Sequence, residues 1–212
     1  MDRKSLLLYA VTDRAWLNGR TLTRQVEDAL NGGATFVQLR EKTLDRETFL
    51  QEAKEIGALC RAQSVPFVVN DEVEIALASG ADGVHVGQDD MEAGNVRSRI
   101  GPGKILGVSA HSVEEALRAE RAGADYLGVG AAFPTGTKKD AGAISKETIR
   151  EICAAVSIPV IAIGGIGRDN ILRLSGCGLS GVAVVSALFA QEDAEQAARE
   201  LHALAEQMTT RE

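Results

Sequence analysis

Gly80-Ala81-Asp82-Gly83-Val84 is the stretch that decides the fold, because variants of it recur where a helix-type pattern gives way to a strand-type pattern. The recurrences are Gly33-Ala34-Thr35-Phe36-Val37, Gly123-Ala124-Asp125-Tyr126-Leu127 and, more faintly, Gly178-Leu179-Ser180-Gly181-Val182. Each is typical of a glycine in the left-handed conformation at the end of a helix, followed by a short turn and a buried strand. The repeat therefore predicts strands that alternate with helices.

Eight strands and eight helices are predicted from this alternation. The strands are expected at residues 6–12, 36–40, 66–70, 83–87, 105–109, 126–131, 159–164 and 181–186. The helices are expected at residues 21–31, 45–63, 72–79, 92–99, 112–122, 145–156, 169–176 and 192–208. Near-continuous apolar strands between helices are typical of a parallel sheet that helices cover.

The tandem units favour one α/β architecture. Eight units without a Pro- or Ser-rich linker predict a single domain over residues 1–212, a (β/α)8 TIM barrel with its active site at the C-terminal ends of the strands. A doubly wound open sheet remains an alternative, because sequence alone does not show whether a sheet closes.

Composition restricts the classes of partner. The formal net charge of −7 argues against a nucleic-acid or anionic-membrane partner. No stretch reaches the roughly 20 apolar residues of a membrane span, and the N-terminus lacks a secretory pattern. Cys60, Cys153 and Cys177 lie in helical patterns without CxxC spacing and are predicted to be reduced structural thiols. A cytoplasmic enzyme acting on small molecules is expected, and the sequence is compatible with a homo-oligomer.

Long polar side chains follow the second predicted strand. Gln38, Arg40 and Lys42 occupy alternate positions, so a strand would send all three to the same side of the sheet. Arginine offers a planar fork to phosphate oxygens, and lysine offers a point charge. The alternative is a solvated charged loop in which Glu41 and Asp45 pair with these cations.

Carboxylates close two neighbouring strands. Asn70-Asp71 follows the third strand and Asp89-Asp90 follows the fourth. Carboxylates on adjacent strand ends, together with substrate phosphates and water, are the usual ligands of Mg²⁺. The alternative is helix capping, since Asp71 precedes the predicted helix 72–79 and acidic residues favour helix N-termini.

Small polar residues follow the remaining strands. Thr135-Gly136-Thr137-Lys138 forms a loop suited to oxyanion capture and closure, with an ordinary surface loop as the alternative. Gly164-Gly165 and Ser186 follow strands seven and eight, the commonest phosphate site of this fold. Ser109 lies on the same rim, and His85, inside a strand, is interpreted as a hydrogen-bonded structural histidine rather than a catalytic one.

Taken in order along nearly the whole chain, the motifs resemble those of the thiamine phosphate synthase family. They are Tyr9-Ala10-Val11-Thr12-Asp13, Gln38-Leu39-Arg40-Glu41-Lys42, Asn70-Asp71, the run from Gly83 to Asp90, Gly107-Val108-Ser109, Pro134-Thr135-x-Thr137-Lys138, Gly164-Gly165-Ile166 and Val185-Ser186. The resemblance implies a barrel enzyme that joins a pyrimidine diphosphate to a thiazole phosphate, with Mg²⁺ and release of pyrophosphate. It also suggests a dissociative route through a pyrimidine carbocation.

The resemblance assigns roles residue by residue. The positions for the pyrimidine diphosphate are matched by Gln38, Leu39, Arg40, Glu41, Lys42, Asn70, Ser109 and Lys138, of which Arg40, Lys42, Ser109 and Lys138 are the expected catalytic residues. The positions for the thiazole phosphate are matched by Thr135, Thr137, Gly165, Val185 and Ser186. Asp71 and Asp90 match the Mg²⁺ ligands.

Three other functions are weighed against this one. A thiazole tautomerase on the same scaffold would have no use for a diphosphate clamp or a metal pair. A non-catalytic phosphate-ligand binding barrel would be expected to lose Lys138 or one of the metal carboxylates, and the sequence retains them. In another phosphate-binding barrel enzyme, such as a sugar phosphate isomerase or epimerase, the Gln-x-Arg-x-Lys and Asn-Asp elements would be coincidental.

Overall fold

A computed structural model describes residues 1–17, 19–87, 93–135 and 143–210. Eight parallel strands form a closed barrel in which each strand pairs with the next in sequence and the eighth pairs with the first. The strands are β1 Leu8–Val11, β2 Phe36–Leu39, β3 Phe67–Asn70, β4 Gly83–Val86, β5 Ile105–Ala110, β6 Tyr126–Val129, β7 Val160–Ile163 and β8 Gly181–Val184. The predicted (β/α)8 barrel is therefore confirmed, and the open sheet is excluded.

Helices connect the strands and cover the outside of the barrel. The α-helices are α1 Leu22–Asn31, α2 Arg46–Ala62, α3 Val73–Ser79, α4 Ala93–Ile100, α5 Val113–Arg121, α6 Lys146–Ala155, α7 Ser186–Phe189 and α8 Ala194–Thr210. Short 3₁₀ helices occupy Arg3–Leu6, Arg14–Trp16 and Ile171–Leu174. Within the described residues, no helix has both the length and the apolar character needed to cross a membrane.

The connection between β7 and β8 differs from the prediction. A helix was expected over residues 169–176, but only the 3₁₀ turn Ile171–Leu174 forms. Gly176 and Gly178 follow with φ of 71° and 81°, a left-handed conformation that a helix cannot continue through. Cys177 between them is buried in a turn and not in a helix, which corrects the prediction for that cysteine.

The repeated glycines take the conformation that the sequence predicts. Gly33, Gly80, Gly123 and Gly178 have φ of 99°, 73°, 91° and 81°. Only glycine adopts this region without a steric penalty from a Cβ atom. The repeat therefore ends one element and turns the chain into the next strand.

The third residue of the repeat ties two strands together. Its backbone N–H donates to a carbonyl at the start of the preceding strand, and its side chain accepts the N–H of that same residue. The pairs are Thr35 with Leu8, Asp82 with Phe67 and Asp125 with Leu106, with side-chain bonds of 2.9, 2.8 and 2.7 Å. In the faint fourth copy, Ser180 keeps the backbone bond to Val160 at 2.8 Å. Its buried hydroxyl has no partner among the described residues.

The apolar core has two layers. The larger layer lies between the strands and the surrounding helices, and the smaller one fills the barrel interior around Tyr9, Phe36 and Tyr126. The centroids of these three rings lie 4.5–5.9 Å apart. Gly107 on β5 makes room for them, because a Cβ at this position would lie 2.2 Å from Cζ of Tyr126. The aromatic layer forms the floor beneath the C-terminal face.

Candidate active site

A pocket of about 290 Å³ opens at the C-terminal ends of the strands. Closure of the sheet brings to it side chains that are far apart in sequence. The predicted site residues that line it are Gln38, Arg40, Lys42, Asn70, Asp71, Ser109, Thr135, Gly165, Val185 and Ser186. Asp90, Thr137 and Lys138 lie outside the described residues. The structure thus brings together both predicted substrate groups, whose roles stay predictions.

Side chains of the Gln-Leu-Arg-Glu-Lys motif alternate between two environments, both in β2 and in the residues that follow its end at Leu39. Gln38, Arg40 and Lys42 line the pocket, as the period of two predicts. Leu39 is fully buried in the layer between barrel and helices, so any contact between this residue and a ligand would have to come from its backbone. Glu41 is also buried and is not among the pocket-lining residues.

Glu41 organises the loop that carries Lys42. Its Oε1 accepts the N–H groups of Lys42 and Thr43 at 2.7 and 2.6 Å and the hydroxyl of Thr43 at 2.9 Å. Its Oε2 pairs with Arg14, which also binds Glu52 at 2.5 Å. Burial alone would raise the pKa of Glu41, but bonds from Thr43, Arg14 and Lys42 outweigh it and lower the pKa to about 2. The ionised carboxylate of Glu41 therefore fixes the backbone of residues 42 and 43 by accepting their N–H groups.

The pocket cations have partners other than those that the sequence suggested. Nη1 of Arg40 lies 3.4 Å from Oδ2 of Asp13, and Nζ of Lys42 lies 2.6 Å from Oδ2 of Asp71. Asp45 instead caps α2 by accepting N–H groups of its first turn. The Lys42 side chain is 52% exposed, so its ammonium remains accessible to an anion at the rim.

Asp71 has an unusual backbone conformation. Its φ is 63°, a left-handed value that is uncommon outside glycine and is often found where function requires a set geometry. Its N–H donates to the carbonyl of His85 at 2.8 Å, and its Oδ2 accepts from Asn70 at 2.5 Å. Asp71 is not the N-cap of α3, which is Glu72 and makes no side-chain capping bond. The carboxylate of Asp71 instead contacts the ammonium of Lys42 in the pocket.

The carboxylate of Asp71 has the chemistry of a Mg²⁺ ligand. Magnesium takes oxygen ligands and is usually held by one or two carboxylates plus substrate phosphates. Within the described ranges, no cluster of three or more acidic, histidine or cysteine side chains is present. Asp71 supplies one such carboxylate beside Lys42, and the second predicted ligand, Asp90, lies outside the described residues.

Glycines shape the opposite side of the pocket. Gly164 and Gly165 have φ of 99° and 61°, and a Cβ on Gly165 would lie 2.4 Å from the carbonyl oxygen of Pro134. Asn170, which sequence reasoning missed, holds this turn: its Nδ2 donates to the Gly165 carbonyl and its Oδ1 accepts from Gly167 N–H, both at 2.9 Å. The close backbone packing sets Gly165 against Phe133 and Pro134, in the loop that follows β6.

Polar side chains cross the floor of the pocket inside the barrel. Gln38 Nε2 donates to Tyr9 Oη at 2.8 Å, and Tyr9 Oη lies 2.7 Å from Tyr126 Oη. His85 Nδ1 lies 2.9 Å from Tyr126 Oη, and His85 Nε2 lies 3.0 Å from Ser109 Oγ. Both nitrogens of His85 are hydrogen-bonded, as expected for a structural histidine.

Sequence reasoning gave neither tyrosine a role, although Tyr9 opens the first of the family motifs. Tyr9 and Tyr126 are the only tyrosines of the chain, and both lie in strands of otherwise apolar or small residues. A buried tyrosine usually finds a hydrogen-bond partner, so a tyrosine in each of two apolar strands could have predicted a polar contact inside the barrel. Burial raises the pKa of Tyr9 and of Tyr126, which keeps both phenols protonated.

Comparison with known proteins identifies the family. A sequence model described as thiamine monophosphate synthase matches residues 8–188. The chain is 50% identical over 203 residues to the thiamine-phosphate synthase of Clostridium tetani, covering 95% of this chain and 97% of that protein. It is 51% identical over 194 residues to that of Ruminiclostridium cellulolyticum, covering 92% of each.

A solved structure agrees with the sequence relatives. The thiamine phosphate pyrophosphorylase from Pyrococcus furiosus is 41% identical and superposes with a TM-score of 0.90, covering 97% of this chain and 98% of that chain. The match thus extends over the whole barrel and over the strand ends that form the pocket. The chain is therefore an enzyme that belongs to the thiamine monophosphate synthase family.

Proposed function

We propose that this enzyme condenses 4-amino-2-methyl-5-(diphosphomethyl)pyrimidine with 4-methyl-5-(2-phosphoethyl)thiazole, or its carboxylated form, to give thiamine phosphate and pyrophosphate. The observation that carries the proposal is the division of one pocket into two sides. Arg40, Lys42 and Asp71 follow β2 and β3, whereas Gly165 and Ser186 follow β7 and β8, on the other side of β1 in the closed barrel. We place the reaction in the cytoplasm.

The cationic side suits the diphosphate. Arg40 and Lys42 can bind its oxygens, and their present partners, Asp13 and Asp71, keep them in position until an anion arrives. Mg²⁺, held by Asp71 and Asp90, would supply further neutralisation of the leaving group when bound. Asn70 and Ser109 complete this side, and Lys138 is assigned to it by sequence.

The glycine side suits the thiazole phosphate. Gly165 and Ser186 offer a backbone N–H and a hydroxyl at the two strands where this fold most often binds phosphate. Thr135 lies on the same pocket wall, and Thr137 is assigned there by sequence. Anchoring the phosphate would hold the ring nitrogen near the carbon that it attacks, which is worth several kcal/mol through orientation alone.

The chemistry requires charge stabilisation more than proton transfer. As the carbon–oxygen bond to diphosphate breaks, negative charge grows on the leaving group, where the preorganised cations Arg40 and Lys42 stabilise it. The amino group of the pyrimidine donates electrons to the carbon that becomes positive. Apolar walls at Ile161 and Ile163 exclude water from this carbon until the thiazole nitrogen attacks.

A direct assay tests the proposal. Purified protein is mixed with both substrates and Mg²⁺, and thiamine phosphate and pyrophosphate are measured with and without EDTA. Equal amounts of both products, abolished by EDTA, are expected. Absence of product from the folded protein would contradict the proposal and favour a tautomerase or a phosphate-ligand binding barrel.

A further inference from the structure

The hydrogen-bond chain beneath the pocket joins two residues assigned to the same substrate. It runs from Gln38 through Tyr9, Tyr126 and His85 to Ser109 over four bonds of 2.7–3.0 Å. Its members come from five strands, β2, β1, β6, β4 and β5. The chain therefore exists only because the barrel closes.

The proton direction along this chain follows from its first bond. Tyr9 Oη accepts from Gln38, so its own proton is donated to its other contact, Tyr126 Oη. The opposite direction would leave the proton of Tyr9 without an acceptor among the described residues. Tyr126 then donates to Nδ1 of His85, which places the imidazole proton on Nε2, and Nε2 donates to Ser109 Oγ.

The three inner side chains of the chain are buried, and its two ends, Gln38 and Ser109, line the pocket. Tyr9 is 1% exposed, Tyr126 is fully buried and His85 is 8% exposed. A buried donor or acceptor that loses its partner has little access to water as a replacement, so reversing one bond forces the next bond to reverse as well. A reversal that begins at Gln38 is therefore expected to pass through the three buried side chains to Ser109.

We propose that Tyr9, Tyr126 and His85 are positioning residues that couple the amide orientation of Gln38 to the hydroxyl orientation of Ser109. Because Nε2 of Gln38 is committed to Tyr9, its Oε1, which accepts no hydrogen bond from a described residue, is presented to the pocket as an acceptor. Ser109 accepts from His85, so its own proton is directed elsewhere. The floor therefore selects a ring that offers a donor, such as an amino group, to Gln38.

The proposal rests on the proposed function only for the contact of Gln38 and Ser109 with substrate. The coupling itself is a property of the ligand-free protein. Its decisive test therefore uses a spectroscopic readout that needs no substrate. Failure of the coupling and failure of the synthase assignment then give different results.

The test is a tautomer switch at His85 caused by a substitution at Gln38, three hydrogen bonds away along the chain. Nitrogen-15 shifts of the imidazole are recorded at about pH 9, above the ordinary histidine pKa of roughly 6.5. The unmodified protein is expected to carry the proton on Nε2. In Gln38→Glu the carboxylate can only accept from Tyr9, so every bond reverses and the proton is expected on Nδ1.

A second variant isolates the route of the coupling. Tyr126→Phe removes the central hydroxyl and keeps the ring that packs on Tyr9 and Phe36. Adding Gln38→Glu to Tyr126→Phe is expected to leave the His85 tautomer unchanged. An Nδ1 proton in the unmodified protein, no switch in Gln38→Glu, or a switch that persists without the Tyr126 hydroxyl would each overturn the proposal.

Kinetics then test the consequence for catalysis. Residues that orient metal ligands typically contribute ~10–100-fold to activity, and by analogy a loss of similar size in kcat/KM is expected for Tyr126→Phe. Part of the loss in kcat/KM is expected to arise from misorientation of the Ser109 hydroxyl. Tyr126→Phe should therefore lower kcat/KM by a smaller factor in a Ser109→Ala background than in the unmodified enzyme. Equal losses in the two backgrounds would contradict a positioning role.

Discussion

Asp71 combines a strained backbone with a charged side chain at the pocket rim. At φ of 63° most side chains are disfavoured, but asparagine tolerates this region about as well as aspartate. Asp71→Asn therefore removes the charge and keeps the backbone. The strain at this residue is consistent with a carboxylate that must point at one place, towards Lys42 and the proposed metal.

Asp71→Asn is expected to raise the Mg²⁺ concentration needed for half-maximal activity by ~10-fold or more, because a neutral amide is a weaker ligand for a hard cation. The thermal midpoint without ligand should change little. The measurement is a Mg²⁺ titration of product formation. An unchanged titration curve would remove Asp71 from the metal site.

Glu41 is expected to make stability depend on pH. Its pKa is about 2 in the folded protein against an ordinary 4.5, so its contribution is complete above about pH 4.5 and is lost as the pH falls towards 2. The contribution is on the order of 3 kcal/mol. Urea unfolding should show Glu41→Gln destabilised at neutral pH, with the difference from the unmodified protein shrinking below pH 4.5.

Glu55→Gln provides the control for this measurement. Glu55 is exposed on α2, so its replacement should leave the free energy of unfolding within about 0.5 kcal/mol at every pH. If the effect of Glu41→Gln were independent of pH between 2 and 4.5, the depressed pKa would not be its cause. The loop carrying Lys42 would then owe its shape to other contacts.

At the scale of the elements, the third residue of the repeat makes a side-chain hydrogen bond to the start of the preceding strand in three pairs of strands. Asp82 accepts the N–H of Phe67, whereas Ser180 at the equivalent point before β8 has a buried hydroxyl with no partner among the described residues. Asp82→Ala is expected to cost roughly 1–2 kcal/mol of unfolding free energy, because the N–H of Phe67 loses its acceptor. Asp82→Asn, which keeps an oxygen acceptor, should recover most of the loss.

Ser180→Ala is the matched control in the same repeat. Removing a buried hydroxyl without a partner should be neutral or slightly stabilising. Both variants are measured by urea unfolding at neutral pH. If Ser180→Ala lowered the free energy of unfolding as much as Asp82→Ala, the side-chain hydrogen bond of Asp82 would not be what stabilises the strand pair.

Gly107 on β5 is required by the aromatic layer inside the barrel. A Cβ would lie 2.2 Å from Tyr126 and 2.5 Å from Nδ1 of His85, distances that force the neighbours to move. Gly107→Ala is expected to cost more than about 3 kcal/mol, or to prevent folding, because overpacking a rigid core is expensive. Gly94→Ala, on α4 with open space around it, should instead stabilise by roughly 0.5–1 kcal/mol. Thermal and urea unfolding of the two variants check the contrast.

At the scale of the whole molecule, the proposed diphosphate site lies at the ends of β2 and β3, inside the pocket that the folded barrel forms. A ligand that binds only the folded state stabilises it, by about 2.7 kcal/mol at one hundred times its Kd. Pyrophosphate with Mg²⁺ is therefore expected to raise the thermal midpoint, and Lys42→Ala should reduce that rise. Lys54→Ala, which removes an exposed lysine of α2, should leave it intact. An equal rise in thermal midpoint in the unmodified protein, Lys42→Ala and Lys54→Ala would show that pyrophosphate does not bind at Lys42.

The sequence by itself determined the order of the elements and the direction of alternate side chains. The apolar runs, with the glycine repeat before four of them, predicted the strand boundaries to within about two residues, because a left-handed glycine and an apolar run are local properties. Alternation along β2 predicted that Gln38, Arg40 and Lys42 face one side. Local patterns also placed the polar residues at strand ends, where a barrel brings them together.

Only the tertiary structure decided which residues touch one another. The Arg14–Glu41 pair, the strand ties of Asp82 and the chain through Tyr9 and Tyr126 each join residues from different strands or loops. Closure of the sheet and burial set such contacts, and neither is encoded in any short window of sequence. Glu41 illustrates the difference: the sequence places it in a substrate motif, and the fold turns its side chain inward to support the loop.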